Sequence, residues 1–175
     1  MSSRGAAQGE RGGGGDGHGS ATAPLMLLRL GQRWFAVDVR AIEEVALKGP
    51  VTRVPMAPSH ILGVTLMRRR LVTVISLEQM IGGAGMLSAE NAVTLPRLVV
   101  VRDGAYELAM VAEEIGGIIE PQGLSEAVHP ADVPDFVGEE FDWQGTRVAR
   151  LDARMLVAAT ARQAGMLSLS PDGVS

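Results

Sequence analysis

Four groups of residues in this 175-residue chain are of types that do chemistry. Glu113-Glu114 is a carboxylate pair of the kind used in general acid and base work. Histidines at 18, 60 and 129 are candidate metal ligands or bases. Arg68-Arg69-Arg70 invites an anion, and Gly82-Gly83-Ala84-Gly85 invites a phosphate. Each group fails on spacing or context. Neighbours in a strand point to opposite sides, so Glu113 and Glu114 are expected on a surface and not around one substrate. His18 sits among glycines, His129 sits in a loop between Val128 and Pro130, and the three histidines share no ligand spacing. The glycine run follows a helix and lacks the Lys-Ser/Thr of a phosphate loop. Arginines at a hairpin tip without a second basic cluster are ordinarily solubilising charge. No Gly-x-Ser-x-Gly elbow is present. The reading is a binding module, with no catalytic residue, no metal and no cofactor. A hydrolytic or small-molecule-binding β barrel would require a polar pocket that joins Glu113 or Glu114 to a histidine.

Composition narrows the classes further. The chain is 46% hydrophobic and long enough for one domain, or two fused small lobes, with a core. With 16 basic and 20 acidic side chains the net charge is −4, which gives no electrostatic reason to bind nucleic acid. The absence of cysteine removes disulfides, thiolate metal sites and a thiol nucleophile. The N-terminus shows no apolar signal core, and no run approaches the roughly 20 apolar residues of a membrane span. The expected location is the cytoplasm, without membrane insertion.

The elements follow from local pattern. Residues 1–24 are Gly-rich and are expected to form a disordered tail. LMLLRL from Leu25 and Trp34 to Val37 read as two strands around Gly31-Gln32. Asp38 is expected to cap a helix through Ala41, Ile42, Val45 and Ala46 that Gly49-Pro50 stops, with Glu43 and Glu44 on its outer face. Val51 to Val54 reads as a short strand. Ile61 to Met67 and Leu71 to Ile75 are apolar runs on either side of an arginine tip, which predicts a hairpin. Ser76 and Gln79 form a capping box for a short helix that ends at Gly82-Gly83.

A second lobe is expected to begin with Leu98–Arg102 and Ala105–Ala112 around Asp103-Gly104, the lobes joining near 82–97. In Ile115-Gly116-Gly117-Ile118-Ile119 the glycines predict a bulge or a close backbone crossing. Phe136–Trp143 and Thr146–Leu151 pair around Gln144-Gly145, and Asp152 caps a helix through Arg162. Residues 163–175 are expected to be a flexible tail. Many short strands with few helices predict small, closed or nearly closed β sheets.

Two blocks resemble a known family. LRLGQRWFAVDVRAIEEV and VTRVPMAPSHILGVTLMRRRLVTVISL are similar to the opening elements and the Arg-bearing hairpin of the CheW-like coupling proteins of bacterial chemotaxis. LVVVRDGAYELAMVAEEIGGII and RLDARMLVAA follow more loosely, so the likeness runs from Leu25 to Ala161. It implies a mainly β fold, two packed five-stranded β barrels as SH3-like lobes with a few short helices, and no catalysis. It implies an adaptor role between a methyl-accepting chemoreceptor and the regulatory domain of a CheA-type histidine kinase. By position, Glu44 and Arg68 match the family's Glu and Arg, expected to lie close together on the receptor-facing surface. Arg69 stands beside them, and Ile42 and Gly63 match further partner-binding positions. A helix Ile is as readily core, and a strand Gly as readily a site of close packing.

The chain also departs from the family. Leu66-Met67-Arg68-Arg69 stands where Asn-Leu-Arg-Gly is usual, Thr73 replaces a Pro and Ser76 replaces an Asp at the cap. Ala109, Glu113 and Glu114 replace a Gly-x-x-x-Asp-Gly pattern, and Arg150 in a normally apolar strand suggests an altered edge. The alternative role is a diverged CheW-like scaffold that regulates another kinase or motility pathway without bridging receptors.

Overall fold

The computed structural model describes residues 23–82, 96–121, 128 and 130–165. The expected tails at 1–24 and 163–175 fall mostly outside these residues, as do His18 and His129. In order the elements are β1 (Leu25–Leu30), β2 (Arg33–Asp38), a 3-10 turn (Val39–Ala41), β3 (Ile42–Leu47), β4 (Ile61–Met67), β5 (Arg70–Ile75), α1 (Leu77–Ile81), β6 (Arg97–Asp103), β7 (Tyr106–Ala112), β8 (Glu114–Ile119), β9 (Val137–Trp143), β10 (Thr146–Leu151) and α2 (Ala153–Gln163).

The strands form two five-stranded sheets, ordered β8-β1-β2-β10-β9 and β3-β6-β7-β5-β4. Pairings are antiparallel except β2 with β10 and β5 with β7. The chain therefore starts in the first sheet, passes to the second at the 3-10 turn, and returns at Glu113. The junction expected near 82–97 lies mostly outside the described residues, but β5 and β6 on either side of it belong to the same sheet. Arg150 lies on β10, which has a neighbour on each side, so it does not mark an edge.

The expected helix at Ala41–Ala46 is a strand. Asp38 does act as a cap, its carboxylate accepting from the Arg40 amide at 2.8 Å, but the cap serves only the 3-10 turn. From Ile42 the chain extends with alternating burial, Ile42, Glu44 and Ala46 inward and Glu43, Val45 and Leu47 outward. The sequence IEEVAL satisfies helical and strand spacing alike. The pairing side of β6 decides between them: Leu98–Val101 is buried throughout, and β3 satisfies backbone groups that a helix would leave unpaired.

Neither strand order closes on itself among the described residues, so each sheet is a curled one and not a complete barrel ladder. Among the described residues a single bridge crosses each gap. Thr52 exchanges two backbone hydrogen bonds of 2.8 Å with Val64 on β4, and Val128 exchanges two of 2.8 and 2.7 Å with Glu140 on β9. Thr65 Oγ1 adds a bond to the Pro50 carbonyl at 2.8 Å. Of the short strand expected at Val51–Val54, only the Thr52 bridge is realised.

One apolar core joins the two sheets. Leu28, Leu30, Phe35 and Val37 of the first sheet meet Val72, Val74, Val99, Val101 and Met110 of the second, with Leu77 of α1 and Leu156 of α2. A smaller cluster on the other face of the first sheet holds Leu25, Leu27, Ala36, Phe141 and Val148, with Trp34 and Trp143 packed against it. That two-sided burial explains why LMLLRL is a nearly unbroken apolar run. The expected bulge sits at Gly116: Leu27 pairs with Gly117 and Leu28 with Ile115, leaving Gly116 extra. A Cβ there would lie 2.4 Å from the Trp34 ring, so glycine is required by close packing.

Both expected helix caps form. Ser76 Oγ accepts from the Gln79 amide at 3.4 Å and Asp152 from the Met155 amide at 2.9 Å. The reciprocal half of the Ser76 box is absent, because the Ser76 amide donates instead to the His60 carbonyl at 2.8 Å. The turn expected at Asp103-Gly104 is displaced by one residue, to Gly104-Ala105.

Candidate functional site

The site is built on the turn between β4 and β5. Met67 pairs with Arg70, so Arg68 and Arg69 are the two residues of a tight hairpin turn. Their φ angles are 44° and 69°, the left-handed region that the type I′ geometry demands. Residues with a Cβ cost about 1 kcal/mol or more in that region. The turn aims the Arg68 guanidinium across the open side of the second sheet. Its Nε lies 3.1 Å from Glu44 Oε2 on β3, the strand at the opposite end of the sheet order. The Arg68 side chain is 74% exposed and that of Glu44 is 18% exposed, so the carboxylate lies in the rim while the cation stands above it.

A second charge chain runs over the neighbouring strands. The carboxylate of Glu107 receives both Arg70 and Arg102, and Arg102 also reaches Glu43 at 3.0 Å. Glu43 and Glu44 point to opposite sides of β3, and each is paired with its own arginine. Arg69 is exposed and has no ion pair among the described residues.

Immediately beneath the tip, Leu66 and Leu71 face each other across the hairpin, 69% and 73% exposed. The sequence marks Leu66 only as a departure from a usual Asn and does not single out Leu71. The signal was available in the alternation, since Thr65, Val72 and Val74 are buried and their neighbours must face away. An apolar pair beside a free and a half-engaged arginine makes a surface suited to protein docking, with the leucines supplying area and the arginines register.

The other residues singled out in the sequence lie differently. Ile42 is partly buried against the main core, one turn of alternation before Glu44. Gly63 has φ 146° and its Cβ position would lie 2.2 Å from the Thr52 carbonyl oxygen, so the strand-closing segment covers it. Glu44, Arg68 and Arg69 are thus brought together at one end of the second sheet, Ile42 lies just inside, and Gly63 is within the ladder.

The candidate acid/base pair has another use. Glu113 and Glu114 do converge, contrary to expectation, because Glu113 is a bend residue before β8 begins and strand alternation does not apply to it. Both grip Arg29, at 2.6 Å from Glu113 and 3.0 Å from Glu114, and Glu113 also accepts from the Gly31 amide at 3.2 Å. That is a clamp between β1 and the start of β8. His60 is buried with its Nε2 unpaired, and burial lowers its pKa, so it is neutral at physiological pH. Glu78 of α1 is 7% exposed with both carboxylate oxygens unpaired. Its pKa is raised by burial and, less, by the nearby Glu113 charge. Among the described residues no three His, Asp or Glu side chains gather as a metal site.

A cleft of about 520 Å³ between the sheets is lined by Asp38, Arg40, Arg102, Arg150, Asp152 and Arg154 among others. Its charges are engaged locally, Arg40 with Asp38 at 2.8 Å and Arg150 with Glu139 at 3.4 Å. Arg102 connects this cleft to Glu43 and so to the hairpin end. No helix among the described residues is long and apolar enough to cross a membrane.

Comparisons with known proteins agree with this architecture. A family model described as a CheW-like domain matches residues 24–161. The chain is 25% identical over 133 residues to a chemotaxis protein CheW of Klebsiella aerogenes, covering 76% of this chain and 75% of that protein. Its fold is similar to the crystal structure of the scaffolding protein TtCheW from Thermoanaerobacter tengcongensis. The TM-score is 0.62 at 16% identity, over 77% of this chain and 92% of the other.

Proposed function

This chain belongs to the CheW-like domain family, and from that premise we propose that it is a non-catalytic, cytoplasmic adaptor that couples a methyl-accepting chemoreceptor to a CheA-type histidine kinase. The observation that carries the reading is the Arg68–Glu44 pair at 3.1 Å, with the exposed Leu66 and Leu71 beside it. A fixed cation over a half-buried carboxylate orients a partner, and an apolar pair at its foot supplies area to bury. In this reading the hairpin end meets the helical receptor tip, with Arg68 and Arg69 facing it and Glu44 and Ile42 supporting the strand behind. Gly63 acts indirectly, by letting the Val51–Thr52 segment close against β4. The kinase's regulatory domain, itself CheW-like, docks elsewhere on the exposed strands. Affinity and geometry are the protein's contribution, and no bond is made or broken.

The test is assembly from purified receptor tip, kinase regulatory domain and this chain. Arg68→Glu is expected to weaken receptor capture while kinase capture persists. Receptor capture unaltered by that reversal would overturn the assignment of the hairpin.

A second reading is favoured by one observation: the turn carries Arg69 at φ 69° where a glycine would be unstrained, and Leu66 where the family has a polar residue. In that reading the hairpin has been remade for a different partner, and the chain serves another kinase or motility pathway. Kinase binding without any receptor binding by the unaltered chain would select it.

A further inference from the structure

The outward face of the second sheet carries a row of large apolar side chains at its hairpin end. Leu66 of β4 pairs with Leu71 of β5. On the other side of β5, Thr73 pairs with Leu108 of β7, and the same parallel register places Tyr106 beside Leu71. The three side chains belong to consecutive strands and are 69%, 73% and 57% exposed. Single exposed apolar residues are ordinary, but three abreast on one sheet face mark a docking surface. Two positions along the strands, Val64 and Thr73 share that face and wall a groove of about 270 Å³ that no charged side chain lines.

The charges around the row say what fits there. Glu44 faces Arg68 at 3.1 Å, and Glu43 and Glu107 share Arg102. Asp103, which pairs with Tyr106 and ends the row, lies 3.9 Å from Arg154. Each of these carboxylates thus has an arginine, whereas Arg69 is exposed at the tip without an ion pair among the described residues. A spare cation above an apolar row calls for carboxylates on the molecule that covers it. A second copy of this chain would bring to the row the same carboxylates, already engaged. The spacing suits a helix. Neighbouring strands lie about 4.8 Å apart, so the row spans about 10 Å. Helical residues i, i+4 and i+7 stand on one face over about 10.5 Å.

We propose that this row seats an acidic amphipathic helix of a partner protein, laid across the strands. Its apolar stripe covers Leu66, Leu71 and Tyr106, and the carboxylates on one flank face Arg69. The other flank, over Val64 and Thr73, is uncharged. Tyr106 is thereby a contact residue, supplying the largest apolar area of the three and fixing the helix's direction across the sheet. The inference rests on the hairpin end being a docking surface, as in the adaptor reading, and adds the chemistry and direction of what docks there.

The probe is a pair of synthetic stapled helical peptides with one leucine stripe at i, i+4 and i+7, flanked by Glu in one and by Lys in the other. Each is titrated into the full 15N-labelled chain. Amide shifts are expected to centre on Leu66, Leu71 and Tyr106, with the Glu peptide binding at least about tenfold tighter than the Lys peptide. Arg69→Glu is expected to abolish that preference, and Tyr106→Ser to weaken the Glu peptide at least about fivefold. Both positions are exposed, so a dispersed spectrum shows that the variants remain folded. Shifts centred elsewhere, equal affinity for the two peptides, or no binding at millimolar concentration would overturn the proposal. So would a dimer of the chain alone that Tyr106→Ser dissociates, since the occupant would then be a second copy. Receptor capture that responds to Arg68→Glu but not to Tyr106→Ser would overturn this inference and leave the adaptor reading standing.

Discussion

Arg68 and Glu44 sit on strands or turns at opposite ends of a five-strand order, yet their side chains are 3.1 Å apart. The pair, together with the Thr52–Val64 bridge, spans the gap that the ladder leaves open. An ion pair with one partner this exposed contributes about 0.2–1 kcal/mol to stability. A double-mutant cycle with Arg68→Ala and Glu44→Ala, read by urea denaturation, is expected to give a coupling within that range. A coupling of several kcal/mol would mean that the pair holds the sheet together, which its exposure argues against.

The turn itself is strained by its residue types. Arg69→Gly removes a Cβ from a left-handed position and is expected to stabilise the chain by up to about 1 kcal/mol, net of glycine's greater unfolded-state entropy. Denaturation midpoints of the variant and parent decide it. Loss of stability would show that residue 69 does not adopt positive φ.

At Gly116 the direction reverses. Gly116→Ala places a methyl where the Trp34 ring lies and is expected to cost about 1–3 kcal/mol, with a shift in tryptophan emission because Trp34 must move. A neutral substitution would mean that the bulge does not press against Trp34.

Glu78 and Asp38 contribute to the pH dependence of stability in opposed directions. Burial raises the Glu78 pKa above its unfolded value, so the folded state favours its proton. Its contribution is fully present below the unfolded pKa and is lost as pH rises through the folded one. Glu78→Gln is therefore expected to gain on the parent as pH rises from acid to neutral, measured by denaturation across that range. Asp38 runs the other way: the Arg40 hydrogen bond lowers its pKa, so its contribution is present above the unfolded value and is lost as pH falls through the folded one. A Glu78→Gln advantage independent of pH would rule out an ionised buried carboxylate.

Local chemistry was legible in the sequence where it decided the outcome. The Ser76 and Asp152 caps, the Gly116 bulge and the hairpins around Arg68-Arg69 and Gln144-Gly145 follow from residues within a few positions of each other. What the sequence left illegible depends on distant partners. Ile42–Leu47 became a strand because β6 needed one, and the two sheets exchange the chain at places no local signal marks. Glu113 and Glu114 converge on Arg29, some 84 and 85 positions away, because a bend precedes the strand. The nearness of Glu44 and Arg68 was implied by the family likeness and could not be reached from periodicity, which placed Glu44 on a helix. Leu66 and Leu71 were readable from alternation, but only once the inward residues were known.

The most direct measurement is a binding titration of receptor tip and of kinase regulatory domain against the parent chain, Arg68→Glu, and Arg68→Glu combined with Glu44→Arg. Charge reversal at the tip is expected to weaken receptor binding by about tenfold or more, equivalent to about 1.4 kcal/mol, and to leave kinase binding within about twofold. The double reversal restores the ion pair but not the outward charge, so it should fold like the parent and still bind receptor weakly. Receptor affinity equal to the parent's in both variants would contradict the account.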